Sequence, residues 1–551
     1  MLEGLMQHDY QLSIGSMLRR MRTVNAASEV ATLRDPGEID RASYAQVAER
    51  ADRLAGALRA LGIDEGDRVA TFMWNSQEHY EAYMGVPSMG AVLHTLNLRL
   101  FPEQLTYIVN HAEDRIIILD DSLVGLLASV AGTFECVEHY IVVGEGDASA
   151  LPADVLRYEE LLAAQEGGFD YPEIDDRAAA ALCYTSGTTG SPKGVLYSHR
   201  SAYLHAMASQ MSDTLAVSAR DKILPIVPMF HANAWGLPYA AALSGADLVL
   251  PSKYLQAGPI VALIESERPT IASAVPTIWS DVLRYADEHK PDLSSLRCVP
   301  CGGSAVPRAL IEAFEERHGV TIVQAWGMTE TSPLGSVARA SSRATGEDAW
   351  QQRACAGKIV SGVEVRIVAD DGSEVPWDGE QTGEFEIRGP WICSAYFKDP
   401  APEKFDDGWL RTGDVAAIEP GGYIRITDRA KDVIKSGGEW ISSVDLENEL
   451  VAHPKIFEVA VIAKPDERWQ ERPLACVVVE EGEQVSAEEL ADFLRDRVAK
   501  WWIPDEYAFI DEVPKTSVGK FDKKVLRGRL AEGELADRHT VTPALPAGHS
   551  E

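Results

Sequence analysis

Positive charge is what this chain has least of. It carries 51 Lys and Arg against 85 Asp and Glu, a net charge of −34 over 551 residues. Surfaces for nucleic acid or anionic membrane depend on clustered Lys and Arg, so this balance argues against both. It leaves room for a small anionic ligand, because a local pocket can oppose the global field. Cysteine is sparse as well. Seven are scattered along the chain, which fits reduced thiols in a cytoplasmic protein rather than a disulfide framework. Cys298 and Cys301 have C-x-x-C spacing, but no second pair or His cluster accompanies them, and Gly302-Gly303-Ser304 follows. They read as the end of a buried strand at a ligand-facing turn, not as a zinc or redox site. No apolar run reaches the roughly 20 residues of a membrane span. Residues 234–250 come nearest and are interrupted by Pro238, Ser244 and Asp247. Residues 1–10 lack the basic-then-apolar order of a signal peptide. Internal repeats and low-complexity tracts are absent.

What remains is an ordinary globular composition, 46% apolar and 25% charged, in a chain long enough for several lobes. Ser43 and Gln46 form a capping box ahead of a helix with Val47, Ala51, Leu54, Leu58 and Leu61 at helical spacing. Strands are expected at 68–74, 115–119 and 140–143. The same strand–helix alternation resumes with helix 200–211, strand 223–227, helix 260–267, strand 271–274, helix 306–318 and strand 321–324. This rhythm predicts α/β layers around parallel sheets. Residues 357–422 change character: short strands such as 363–368 and 383–388 lie between Gly, Asp and Pro turns, which predicts a small β-rich subdomain. Residues 423–427 read as a strand, and a charge run at 428–432 marks a boundary. Beyond it lies a compact α/β unit, in which Ser486 caps a helix carrying Leu490, Phe493, Leu494, Val498 and Trp501 on one face. The polar tail from about residue 532 is expected to be mobile.

Chemistry concentrates in five places. After the apolar run 178–183 comes Tyr184-Thr185-Ser186-Gly187-Thr188-Thr189-Gly190-Ser191-Pro192-Lys193-Gly194. Glycines let backbone N–H groups approach anionic oxygens, hydroxyls add donors and the lysine adds charge, so the run is suited to phosphates. It is not a Walker A loop, because Ser191-Pro192 separates Gly190 from Lys193. Next is Gln324-Ala325-Trp326-Gly327-Met328-Thr329-Glu330-Thr331. Alone it reads equally well as a strand end with a surface Glu. Then Asp414 follows a tight Gly turn, where a carboxylate can accept two hydroxyls, although an Asx-turn is the commoner use. The fourth block is 428–441, and the fifth is Pro514-Lys515-Thr516-Ser517-Val518-Gly519-Lys520. A lysine at the tip of a Gly loop is by default solvated, but it can also reach another lobe's site.

In this order, from about residue 43 to 530, the blocks resemble the adenylate-forming superfamily of acyl-CoA synthetases, carrier-protein adenylation domains and firefly-type luciferases. Stretches 95–100, 228–238 and 437–443 look most like the fatty acyl-CoA synthetases. The resemblance implies a large N-terminal domain, 1–427, of doubly wound α/β subdomains plus a β-rich subdomain. It implies a small mobile C-terminal α/β domain, 428–551, with a hinge at Asp428. The implied reaction is attack of a carboxylate on ATP to give an acyl-adenylate, followed by thioester formation with CoA, with Mg²⁺ required. Thr185, Ser186, Gly187, Thr188, Thr189, Gly190 and Lys193 would cradle the β- and γ-phosphates, and Thr185 with Glu330 would hold Mg²⁺. Thr329 would hold the α-phosphate. Gly302, Gly303, Ser304, Ala325 and Trp326 would frame the adenine, with Gln324, Gly327 and Met328 in the same nucleotide-binding stretch. Asp414 and Arg429 would hold the ribose. Lys520 would bridge acid and α-phosphate. After the small domain rotates, Lys435 and Trp440 would enter with the two glycines between them to line the thiol channel. His231 would lie by the acyl carboxylate, Trp235 would gate the acyl tunnel, and Gly303 and Gly327 would border the acid. A core histidine and a core aromatic are the plainer readings of His231 and Trp235. The departures are Trp326, where Tyr is frequent, and Cys301, where a small or aliphatic residue is frequent. The alternative is an enzyme that passes a bulky specialised acid, as its adenylate, to a carrier protein or partner ligase. A homodimer is expected from the resemblance.

Overall fold

The structure, a computed structural model, describes residues 4, 6–152, 155–185, 191–429, 432–436, 439–466, 468–516, 520–535 and 537–541, with backbone alone at 439–440. Four sheets organise these residues. One has seven strands in the order Val155–Arg157, His139–Val143, Asp114–Asp120, Arg68–Phe72, Val92–Thr95, Ala179–Tyr184 and Gly194–Ser198. All its pairings are parallel except the last. Its strands read as near-continuous apolar runs because helices cover both faces. Ile116 and Ile118 pack into one core, while Ile117 and Leu119 pack into another on the opposite side. The helix Tyr44–Ala60 contributes Val47, Ala51, Leu54 and Leu58 to the first of these cores, and the Ser43–Gln46 capping box closes its N-terminus.

A five-stranded sheet runs Ile271–Ser273, Lys222–Pro225, Asp247–Leu250, Glu29–Asp35 and Glu38–Ser43. Ala31, Leu224 and Val249 face a core filled by the helices Ala257–Glu267, Pro276–His289 and Arg308–His318, while Val30, Ile223 and Leu248 face the other way. The doubly wound reading therefore holds. The third sheet begins with the parallel pair Val299–Gly302 and Ile322–Trp326, then turns antiparallel through Tyr423–Arg429, Trp409–Ile418, Gly383–Arg388 and Glu364–Val368. It is the expected β-rich region. Cys298 and Cys301 are buried at its first strand, and all seven cysteines are free thiols. Burial raises both of those thiols above the usual range, so the strand reading of the C-x-x-C pair stands.

The sheet changes after Arg429. Ile434–Ser436, Glu439–Ile441, Ile456–Asp466, Gln470–Val479, Glu506–Phe509 and Arg538–Thr540 form the fourth sheet. The helices Ser443–Val451 and Ala487–Leu494 cover one face of it, and Lys523–Ala531 covers the other. Two expectations are corrected. The strand placed at 423–427 runs on to Arg429, because Arg429 pairs across the ladder with Asp414. The single helix expected from Ser486 through Trp501 stops at Leu494. The N–H groups of Arg497 and Val498 both turn back to the Leu494 carbonyl, and a short 3₁₀ turn, Lys500–Trp502, follows. Val498 and Trp501 still pack against the core that Leu490 and Leu494 fill, which is why the apolar spacing looked continuous. No helix among the described residues is long and apolar enough to cross a membrane.

Candidate active site

The phosphate-loop candidate joins two antiparallel strands. Tyr184 pairs with Gly194, the Thr185 N–H donates to the Lys193 carbonyl (2.9 Å), and the Lys193 N–H donates to the Thr185 hydroxyl (3.2 Å). The next helix, His199–Ser209, starts only after the second strand. The chain passes from the loop into a strand rather than into a helix, so the donors this segment itself offers an anion are N–H groups, hydroxyls and a lysine. Ser186, Gly187, Thr188, Thr189 and Gly190 lie outside the described residues. Lys193 sits 4.9 Å over the Tyr396 ring, with its ammonium 3.2 Å from Asp399 and 3.7 Å from Glu403.

Glu330 and Thr329 lie in a buried 3₁₀ turn, Thr329–Thr331, that follows the strand Ile322–Trp326. The Tyr197 hydroxyl donates to the Thr329 carbonyl (2.7 Å). The Tyr396 hydroxyl donates to Glu330 Oε1 (2.7 Å), and the Cys393 N–H donates to the Glu330 carbonyl (2.9 Å). No other donor among the described residues hydrogen-bonds the Glu330 carboxylate. That carboxylate and the Thr185 hydroxyl are the oxygen donors a hard divalent cation takes. Among the described residues no cluster of three or more His, Cys, Asp or Glu could enclose a metal. The donor set therefore fits Mg²⁺ held jointly with a substrate's phosphates and water, the usual arrangement for that ion.

Glycine shapes the turn between these groups. A Cβ on Gly302 would stand 2.4 Å from the Ala325 carbonyl oxygen, and one on Gly327 would stand 1.5 Å from that of Pro333. Neither position admits a side chain, so backbone lines this edge of the site. Ser304 is exposed beside them. Gln324 is engaged at both ends: its carbonyl accepts from Val306 N–H and its amide donates to the Cys355 carbonyl. It holds two segments together rather than presenting a free amide. Ala325 and Met328 pack partly buried against the large core.

Asp414 is almost fully buried and has two partners. Trp326 Nε1–H donates to its Oδ2 (2.8 Å), and Arg429 Nε lies 2.7 Å from Oδ1. As cross-strand neighbours, Asp414 and Arg429 project from the same face. Residues on two consecutive strands thus form one charged edge beside the indole.

Lys520 reaches this edge from the fourth sheet's unit. Its loop closes on itself, with the Thr516 N–H donating to the Lys520 carbonyl and the Lys520 N–H to the Thr516 hydroxyl. Its Cε approaches Gly303, where a Cβ would stand 3.5 Å away. Burial depresses the ammonium to about 8, with Arg429 adding to the fall and Asp414 and Glu330 opposing it. Burial, and then the charge of Lys520, lowers His231 to about 3. The imidazole is neutral and electrostatically coupled to that lysine. Five consecutive residues from Ala232 to Gly236, Trp235 among them, have positive φ. A Cβ on Gly236 would stand 2.5 Å from the His205 ring. Trp235 is half-buried against the core.

Asp428 is buried at the change of sheet. Its Oδ2 accepts from both the N–H (2.9 Å) and the hydroxyl (2.5 Å) of Ser443. Lys435 lies opposite Trp440 in the hairpin of the fourth sheet, and its N–H donates to Glu471. Gly437, Gly438 and the Trp440 side chain lie outside the described residues. No hydrogen bond or ion pair among those residues ties Lys435 to the Glu330–Asp414–Lys520 cluster. Sequence reasoning missed Tyr197, Tyr396 and Asp399. All three lie outside the glycine-rich blocks that drew attention.

Residues 22–397 match the AMP-binding enzyme family, and residues 445–520 match the AMP-binding enzyme C-terminal domain. The chain belongs to the AMP-binding enzymes. Among curated relatives, this AMP-binding enzyme is 43% identical to a 3-methylmercaptopropionyl-CoA ligase of Ruegeria lacuscaerulensis, over 95% of this chain and 98% of the relative. It is 45% identical to a long-chain-fatty-acid–CoA ligase of Thermus thermophilus, over 94% and 96% of the two chains. It is 42% identical to a medium-chain-fatty-acid–CoA ligase of Ectopseudomonas oleovorans, over 96% and 98%. Among solved structures, an anthranilate CoA ligase in complex with anthranoyl-AMP superposes with a TM-score of 0.86 at 27% identity, covering 96% of this chain and all of that one.

Proposed function

We propose that this AMP-binding enzyme joins an aliphatic, hydrophobic carboxylic acid to CoA. It is an acid–thiol ligase that activates its acid with ATP and forms the CoA thioester. In the first half-reaction a carboxylate oxygen attacks the α-phosphorus of ATP and pyrophosphate leaves. In the second the CoA thiol attacks the acyl carbon and AMP leaves. The observation that carries the residue assignment is the approach of Lys520 to Gly303, beside Glu330, Asp414 and Arg429. An ammonium there lies where charge gathers as acid and phosphate meet.

Lys520 bridges the acyl carboxylate and the α-phosphate, Thr329 holds the α-phosphate, and Lys193 with the glycine–threonine loop grips the departing pyrophosphate. Asp414 and Arg429 hold the ribose, and the backbone at Gly302, Gly303 and Gly327 leaves room for adenine and acid. Glu330 and Thr185 would hold Mg²⁺, which would offset charge on the phosphates. His231 and Trp235 border the acid. A rotation about Asp428 withdraws Lys520 and brings in Lys435 and Trp440 for the thiol step. The aliphatic acid is supported by the relatives named above, whose acids run from a short thioether acid to long fatty acids. A cytoplasmic homodimer completes the reading. Seven free thiols support the compartment, and sedimentation of the purified chain tests the dimer.

The deciding experiment incubates the protein with ATP, Mg²⁺ and a graded series of aliphatic acids, a thioether acid and aryl acids, with and without CoA, and identifies products by mass. Acid-dependent pyrophosphate release and an acyl-CoA product are expected, with aliphatic acids preferred. Aryl acids turned over in preference would overturn the substrate class. Adenylate without thioester would overturn CoA as the acceptor.

A further inference from the structure

Tyr396 stands between two groups the reaction uses. Its hydroxyl donates to Glu330 Oε1 at 2.7 Å, and its ring face lies 4.9 Å beneath the Lys193 ammonium. One side chain therefore touches both the carboxylate offered to the cation and the lysine offered to the leaving phosphates. The tyrosine is itself held firmly. The Tyr396 N–H donates to the Asp399 carbonyl and the Asp399 N–H returns to the Tyr396 carbonyl. The Phe397 N–H donates to the Gly194 carbonyl, just past the phosphate loop. Lys398 is pinned to Glu113 and to the His111 carbonyl. Phe405 packs edge-on at 5.7 Å. The phenol is buried.

We infer that Tyr396 is a positioning residue for the adenylation step: its hydroxyl orients Glu330 toward Mg²⁺ and its ring holds Lys193 over the pyrophosphate end of the nucleotide. This rests on the ligase reading above. A hydrogen bond to a carboxylate is about twice as strong as one between neutral groups and fixes which oxygen faces the cation. A cation over an aromatic face is held without a bond that must break when phosphate arrives. The thiol step uses neither Mg²⁺ nor pyrophosphate, so Tyr396 has no part in it.

The test uses the full chain as wild type, Tyr396→Phe and Tyr396→Leu. Calorimetry follows binding of a non-hydrolysable ATP analogue as Mg²⁺ is raised. Pyrophosphate exchange reports adenylation, and thioester formation from synthetic acyl-adenylate and CoA reports the second step. Tyr396→Phe keeps the ring and loses the hydroxyl, so the Mg²⁺ needed for half-maximal analogue binding rises about tenfold. Thioester formation stays within about twofold of wild type. Tyr396→Leu also loses the cation–π contact, so analogue affinity falls a further several-fold, roughly the range of a partly buried contact of that kind. A Mg²⁺ dependence unchanged in Tyr396→Phe overturns the inference. So does a parallel fall in both half-reactions with a lowered melting temperature, which marks a purely structural tyrosine. Wild-type protein without Mg²⁺-dependent exchange for any acid overturns the ligase reading, and this inference with it.

Discussion

Glu330 and Asp414 are held by buried bonds, one in a turn beside the third sheet and one on a strand of it, whereas Lys520 reaches the same place from the unit of the fourth sheet, which has no strand in common with it. On the first side each carboxylate is sheltered and tied to a named partner: Glu330 to Tyr396, Asp414 to Trp326 and Arg429. On the second side the lysine's loop is braced within its own unit, by Thr516 against Lys520 and by Lys515 against Glu458, and it meets the scaffold by approaching a glycine. Elsewhere the two units meet at Arg284, whose guanidinium stacks 4.0 Å over Phe457 and lies 3.9 Å from Glu480. Groups that grip a ligand through a reaction profit from rigid placement. A group needed in only one of two steps is better carried by a part that can leave.

The largest expected effect comes from removing the delivered group. Lys520→Ala lowers pyrophosphate exchange by about a thousandfold or more, the scale of losing a buried electrostatic stabiliser of developing charge, while calorimetry shows ATP binding nearly intact. Near-normal exchange would erase the distinction between the two sides. Asp428→Pro comes next. It fixes φ at the change of sheet and removes the carboxylate that accepts from Ser443, so thioester formation falls roughly a hundredfold while adenylation stays within about threefold. A melting curve checks that the fold survives, and equal loss in both steps would remove the hinge from Asp428. On the built side, Asp414→Asn keeps an acceptor for Trp326 but loses the charge facing Arg429. The KM for ATP rises roughly tenfold with a smaller change in kcat. A kcat effect alone would put Asp414 in the chemistry rather than the grip.

A pH profile separates the two sides again. In the proposed role Lys520 acts as a cation, and its ammonium is depressed to about 8, so the proposed active form dominates below that value and is lost above it. Adenylation should fall as pH rises through about 8, by about tenfold one unit beyond. Lys520→Arg, charged throughout, should lack that limb even if slower. The smallest effect belongs to the rim. Arg284→Ala removes a half-exposed contact and should reduce adenylation about two- to fivefold without changing thioester formation from preformed adenylate.

Much of this was readable beforehand. The Ser43 capping box and its helix, the β-rich stretch after residue 357 and the parallel strands follow from local spacing and capping chemistry, whereas the carboxylate and lysine blocks, which read alone as a surface Glu, an Asx-turn and a solvated lysine, stood out only through their joint resemblance to a family. What escaped was decided at a distance. The helix after Ser486 ends early because backbone N–H groups turn back on Leu494 while Trp501 still finds the same core. Asp414 and Arg429 become one unit only through ladder pairing. Tyr396 lies in a turn without a glycine of its own and draws attention only once Glu330 and Lys193 are seen on either side of it.

The sequence by itself determined which chemistry is present, because that depends on residue types and short spacings: glycines for close backbone approach, carboxylates for cations and hydroxyls, lysines for phosphates. Only the tertiary structure decided which of these groups meet. Burial and cross-strand register bring these groups together, and the break between sheets after Arg429 places Lys520 in the unit of a different sheet from Glu330 and Asp414.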